Sequence, residues 1–169
     1  MSVSLILLEI LSPTVKGDST VAGFDGQISI ESFSWSVGVD VTEKGTASER
    51  KILKPQCLSI KKQFDRSTTV LSEMMKKDEP FNATLRFVDP STKPRGGQGK
   101  FESIVEIELV GCHIESISLN GDDSGKSVTL AENLVLSFEE SITFSYRSFN
   151  AITQSRANAK TAIVKTPSK

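Results

Sequence analysis

The single histidine, His113, stands directly beside Cys112, and a thiol next to an imidazole is the pairing that nucleophilic catalysis uses. On an extended chain, however, neighbouring side chains point to opposite faces, and no third group is evident to orient the imidazole. The carboxylate pairs Glu106/Glu108 and Glu139/Glu140 are of the type that does acid–base work. Glu106 and Glu108 alternate with Val105, Ile107 and Leu109, which is the pattern of a solvated strand face. The segment Lys93 to Gly99, KPRGGQG, has the glycines of a phosphate loop but not the GKS/T ending, and reads as a flexible turn. Cys57 and Cys112 are the only cysteines and lack CxxC spacing, so two buried thiols in a reducing compartment are expected in place of a disulfide or metal site. The chain is therefore not expected to be an enzyme, and neither a cofactor nor a metal is expected.

The elements that hold these residues are strands. Strand signals rich in β-branched and aromatic residues fall at about 3–11, 26–39, 51–63, 80–88, 100–110, 112–119, 127–138 and 141–149, each bounded by turn residues. One helix is expected over Arg66 to Lys77, where Val70, Leu71, Met74 and Met75 recur at helical spacing, with Asp65 or Ser67 as its cap and the Met pair as a core plug. The expected fold is mainly β: an antiparallel barrel or closed sandwich of about eight strands with one flanking helix. The predicted core contains Leu58 and Ile60; Phe81, Ala83, Leu85 and Phe87; Val105, Ile107 and Leu109; Leu134, Leu136 and Phe138; and Ile142, Phe144 and Tyr146. At 169 residues one domain is expected, over 1–150, followed by a tail, 151–169, that is either a last strand or flexible.

With 20 basic against 21 acidic residues there is no basic excess for nucleic acid. The apolar run from Val3 to Leu11 is short, contains Glu9 and lacks a basic flank, so it is expected to be a strand and not a signal peptide. No stretch reaches the roughly 18–20 apolar residues of a membrane-crossing helix, and no membrane insertion is expected.

One strand departs from regular alternation. In Gly26 to Val39, GQISIESFSWSVGV, Ile28 and Ile30 share one parity while Phe33, Trp35, Val37 and Val39 share the other. A regular strand cannot bury both sets, so a bulge or bend near Ser32 is expected. Beyond it Phe33 and Trp35 are expected as core anchors, and Ser34, Ser36 and Gly38 form a small polar face on the other side. The loop Asp40 to Arg50 is long for a hairpin and is either a solvated loop or an arm to a neighbour.

The collinear order VKGDST (Val15 to Thr20), FSWSVGV, CLSIKKQFDRSTTVL, IESISLNG (Ile114 to Gly121) and LAENLVLSF resembles the haemolysin-coregulated protein family, the tube subunit of the bacterial type VI secretion system. The resemblance runs from about Leu5 to Phe149. It implies a β-barrel with one helix at its flank, assembled as a homo-hexamer whose rings stack into a hollow tube. A contractile sheath expels that tube, a spike protein caps it, and small secreted effectors travel in its lumen. It also implies assembly in the bacterial cytoplasm followed by secretion without a signal peptide. Lys16, Gly17, Asp18 and Ser19 match the family's first loop, and Phe33, Ser34 and Trp35 its aromatic-serine-aromatic signature. Lys61, Asp65, Ser67, Thr68 and Leu71 match its strand-to-helix signature, and Leu130, Glu132, Asn133, Leu134 and Phe138 its late strand. By this resemblance Ser34 and Ser36 face the lumen and contact effectors, while Lys16, Asp18, Asp40, Glu43, Lys44, Glu49 and Arg50 make ring or stacking contacts. The chain departs from the family in lacking a glycine-rich extended loop, in the longer segment Asp89 to Gly99, and in a tail, Ala151 to Lys169, without tryptophan; no fused toxin domain is expected. A monomeric ligand-binding barrel and a phage-type tail tube subunit are the alternatives, the first disfavoured by the density of large inward side chains.

Overall fold

Alternating apolar residues dominate the chain, and the computed structural model, which describes residues 5–41, 51–89, 101–150 and 155–164, is correspondingly built from strands. In chain order these are β1 (Ile6–Leu11), β2 (Thr14–Val15), β3 (Ile28–Ile30), β4 (Ser32–Ser34), β5 (Val37–Val41), β6 (Lys51–Pro55) and β7 (Leu58–Gln63). Helix α1 (Ser67–Lys77) follows, then β8 (Phe81–Asp89), β9 (Glu102–Asp123), β10 (Val128–Asn150) and β11 (Ser155–Val164). The main sheet is antiparallel in the order β2-β1-β8-β9-β10-β7-β4, with β3 on β1 and β11 on β10; β5 and β6 form a separate two-stranded hairpin. These ladders define a mainly β fold with one helix, and not by themselves a closed barrel.

Several boundaries differ from the sequence expectation, each for a physical reason. The strand expected at 26–39 breaks into three: β3 pairs β1, β4 pairs β7, and β5 leaves the body to pair β6. Its parity slip falls at Glu31, whose N–H donates to Lys61 O at 2.8 Å and so joins the two halves. The pairs expected at 100–110 and 112–119, and at 127–138 and 141–149, are instead two long continuous strands, β9 and β10. A bulge replaces the expected break: the β9–β10 register shifts between Phe138 and Ser141. It is centred on Gly111, whose φ of 69° is a conformation glycine adopts at little cost. The tail pairs as β11, in ten-residue register with β10.

The core fills one side of this sheet. Leu8, Ile10, Ile28, Ile30, Leu58, Ile60, Leu85, Leu109, Leu134 and Leu136 are almost wholly buried in one cluster, with Leu71 and Met74 of the helix laid over them. A smaller cluster, Leu7, Val21 and Val88 with Phe24 and Phe101 against it, lies on the other side of β1 and β8. Of the expected core, Tyr146 is instead 53% exposed, because β10 has by then passed beyond the buried cluster. Val37 and Val39 are also exposed, since they belong to the hairpin and not to the body. On α1 only Leu71 and Met74 point inward, while Val70 and Met75 are exposed, so the Met pair is half plug and half surface. Cys57, expected to be buried, is exposed at the turn between β6 and β7.

Candidate assembly surfaces and the buried network behind them

Strand β7 alternates strictly, burying Leu58, Ile60 and Lys62 and exposing Ser59, Lys61 and Gln63. Cross-strand register carries the outward set over four strands. Ser59 pairs with Ser34 on β4 and with Val135 on β10, and Val135 pairs with Ser116 on β9. One step along, Lys61 faces Asn133, which faces Ser118; a further step brings Gln63, Ala131 and Asn120 into line. The result is a broad wall of short hydroxyl, amide and aliphatic side chains. Lys61, the charged member of these rows, is held 3.6 Å from Glu31. Ser36 stands apart from this wall: exposed between β4 and β5, its carbonyl accepts the Gln56 N–H at 2.9 Å where the hairpin meets the body.

Behind the wall, Phe33 and Trp35 pack against the core as half-buried residues. Trp35 lies 5.3 Å from Phe144, ring centre to ring centre, and Phe33 makes an edge contact with Phe87 at 5.2 Å. The Trp35 Nε1 is buried without a hydrogen-bond partner. Trp35→Ala is expected to cost about 2–3 kcal/mol, below the roughly 3–5 kcal/mol of a fully buried aromatic, because only part of the ring is removed from water and its N–H is unsatisfied. Chemical denaturation of purified variant measures this, and a loss above that range would show Trp35 to be a full core residue.

The strand-to-helix motif builds an unexpected ionic centre. Lys62, and not Lys61, turns inward, for it shares parity with Leu58 and Ile60, and its side chain is fully buried. Its ammonium donates to Asp65 Oδ1 at 2.8 Å, Gln63 O at 3.0 Å and Thr68 Oγ1 at 3.1 Å, and lies 3.3 Å from Glu132 Oε2. Thr68 donates its hydroxyl to the same Glu132 oxygen. Asp65 also accepts the Ser67 N–H at 2.9 Å while it binds the lysine, but neither it nor Ser67 is the helix cap that the sequence suggested: that position is Arg66, whose side chain makes no capping bond. Glu132 is placed by register, directly opposite Lys62 on β10. Its other oxygen, Oε1, is buried without a partner. This network fastens the start of α1 to two central strands.

The remaining candidates are dispersed. Lys16 is exposed, and Asp18 is paired with Arg66 of the same chain. Asp40 is placed by its backbone opposite Ile52, whereas Glu43, Lys44, Glu49, Arg50 and the KPRGGQG segment lie outside the described residues. The possible catalytic pair is divided. Burial pushes the Cys112 thiol up to about 12, while the His113 ring turns to Asp78, 2.9 Å from Nδ1. Glu106 is ion-paired to Arg86 at 3.4 Å. Among the described residues no group of three or more His, Cys, Asp or Glu side chains is placed to hold a metal ion, and no helix is long and apolar enough to cross a membrane.

Among the described residues the sheet has a filled apolar side and a broad polar wall, with its named ionisable candidates either locked or dispersed. The chain belongs to the Hcp family: the family model described as "Type VI secretion system effector, Hcp" matches residues 8–151. It is thus a tube subunit of that secretion system. Solved structures share the fold at low identity. A type VI secretion system effector from Yersinia pestis matches with a TM-score of 0.68 at 14% identity, covering 94% of this chain and 98% of that one. Mutants of the Hcp1 protein from the E. coli EAEC 042 pathovar give 0.69 at 13%, covering 94% and 97%. Secreted protein Hcp3 from Pseudomonas aeruginosa gives 0.60 at 11%, covering 96% and 98%. No curated protein matches the chain at a significant level.

Proposed function

We propose that the sheet closes into a barrel, that six copies join side by side into a ring, and that stacked rings form a hollow tube whose lumen is lined by the polar wall. Closure is supported by one bent strand: β3 pairs β1, and β4, one residue further on, pairs β7, so the two sides of the sheet share that strand. The observation that carries the lumen reading is the row Ser34, Ser59, Val135 and Ser116, small side chains in register across four strands on the face opposite the core. A wall of this kind stays wet and contacts cargo through bridging water without gripping it. Small secreted effectors are the cargo, a spike protein and a contractile sheath the other partners, and assembly takes place in the bacterial cytoplasm before export. Ring contacts come from strand edges and mixed-charge surfaces, among them Lys16, each exposed ion pair adding on the order of 0–1 kcal/mol.

Size-exclusion chromatography with negative-stain microscopy tests the assembly: rings with a central hole are expected, and a two-fold dimer or a monomer would reject it. The lumen is tested by Ser34→Gln. The variant should fold and form rings of unchanged size, since the Ser34 side chain is exposed on the face opposite the core, while retaining less co-purified effector. Unaltered retention across several effectors would sink the lumen assignment.

A further inference from the structure

The rows of the polar wall hold one cation, Lys61, whose side chain is 50% exposed. Register fixes it there from both sides, since Lys61 faces Ser32 on β4 and Asn133 on β10. Its ammonium has a counter-charge, for the Glu31 carboxylate lies 3.6 Å away. Glu31 belongs to the bend between β3 and β4, and its backbone is bound to the same residue, its N–H donating to Lys61 O at 2.8 Å. Its second carboxylate oxygen accepts a hydrogen bond from Gln63 Nε2, two residues along β7 on the same face. The bend that resolves the parity slip therefore delivers a carboxylate onto the wall, where it spans two outward side chains of β7. The other lysine of that strand's second half, Lys62, points into the core and is paired there with Asp65 and Glu132, so its charge is cancelled on the opposite face.

An exposed pair of this kind adds little stability, because water screens both charges and two long side chains must be held in one geometry. Its consequence is for the potential of the face it sits on. The wall side chains around Lys61 are hydroxyls, amides and aliphatics, none of which carries a net charge. Farther along β9 the exposed charges are acidic, Asp122 toward one end and Glu115 toward the other. With Glu31 in place the middle of the wall is neutral. Without it an unmatched ammonium would recur in every subunit around the lumen, where charges of one sign reinforce one another and concentrate the opposite sign. Acidic cargo would be drawn in and basic cargo repelled.

We propose that Glu31 sets the charge selectivity of the wall: by cancelling Lys61 it leaves cargo to be held through hydroxyl and amide contacts and gives acidic proteins no advantage. The inference rests on the lumen reading above and names the residue that decides which cargo that lumen prefers. It is tested with rings of the parent chain and of Glu31→Gln, each titrated against two fluorescein-labelled peptides of equal length, one glutamate-rich and one lysine-rich, with binding read by fluorescence anisotropy. Glutamine keeps the size of glutamate and the backbone bond to Lys61, so rings of unchanged size are expected. At low salt the preference for the glutamate-rich over the lysine-rich peptide should rise about tenfold in the variant. It should return toward the parent value at about 1 M salt, where the screening length is about 3 Å. The double variant Glu31→Gln/Lys61→Gln should bind as the parent does, because the charge it removes is the one Glu31 had cancelled. An unchanged preference in Glu31→Gln, or a raised one that persists in the double variant, would overturn the inference. Adding Ser34→Gln to Glu31→Gln tests the lumen reading separately: binding of the glutamate-rich peptide should weaken, whereas binding that Ser34→Gln leaves untouched would place the peptide elsewhere and refute that reading itself.

Discussion

Lys62→Met is expected to destabilise the fold by about 3–5 kcal/mol, the usual cost of removing one partner from a buried ion pair. Methionine fills nearly the same volume, so the loss comes from charge and not from a cavity. Without the ammonium, Glu132 remains fully buried with its Oε1 already unpartnered and Thr68 as its remaining donor. Asp65 suffers less, since it keeps the Ser67 N–H and hydroxyl. The double variant Lys62→Met/Glu132→Leu should therefore recover most of the loss, because an apolar pair of similar size requires no desolvation of charge. Urea denaturation of both variants decides the matter. A single variant as stable as the parent, or a double variant no better than the single, would show that the network does not hold the helix to the sheet.

The second large effect is expected at Gly17. This residue is buried where the VKGDST loop doubles back, its N–H donating to Gly26 O at 2.8 Å. A Cβ there would lie 2.5 Å from Ile28 Cα and 2.6 Å from Gln27 O, both backbone atoms at the start of β3 that no rotamer change can clear. Gly17→Ala should cost at least about 3 kcal/mol, the upper end for an overpacked site. In a domain of this size that lowers the thermal midpoint by roughly 6–12 °C. Gly38→Ala is the control: nothing lies within 4 Å of its Cβ, and a change within about 0.5 kcal/mol is expected. Equal midpoints for the two variants would mean that the loop can move away from β3.

Much of the candidate wall was legible in the residues themselves. Strict alternation placed Leu58 and Ile60 inward and Ser34 outward, and the collinear motifs pointed to the family. The signal for Lys62 was present too, as the third member of the Leu58–Ile60 parity, but a charged residue in such a row ordinarily faces water. What reversed that expectation was Glu132, seventy residues away in sequence and brought opposite by the β7–β10 register. Asp65 and Thr68 were readable as helix-start residues; that they also bind a lysine required the helix to be folded against the strand.

By itself, the sequence determined the period-2 pattern, the bend near Ser32, the helix after Asp65 and the near-balance of charge, because each depends on neighbours within a few residues. Only the tertiary structure decided which strands are continuous. Gly111 could end a strand or bulge within one, and the choice depends on Glu139 and Glu140 lying across the ladder. It also moved Val37 and Val39 out of the core: the alternation that fits a buried strand fits an exposed hairpin equally well, and the difference lies in whether a partner surface is there to cover it.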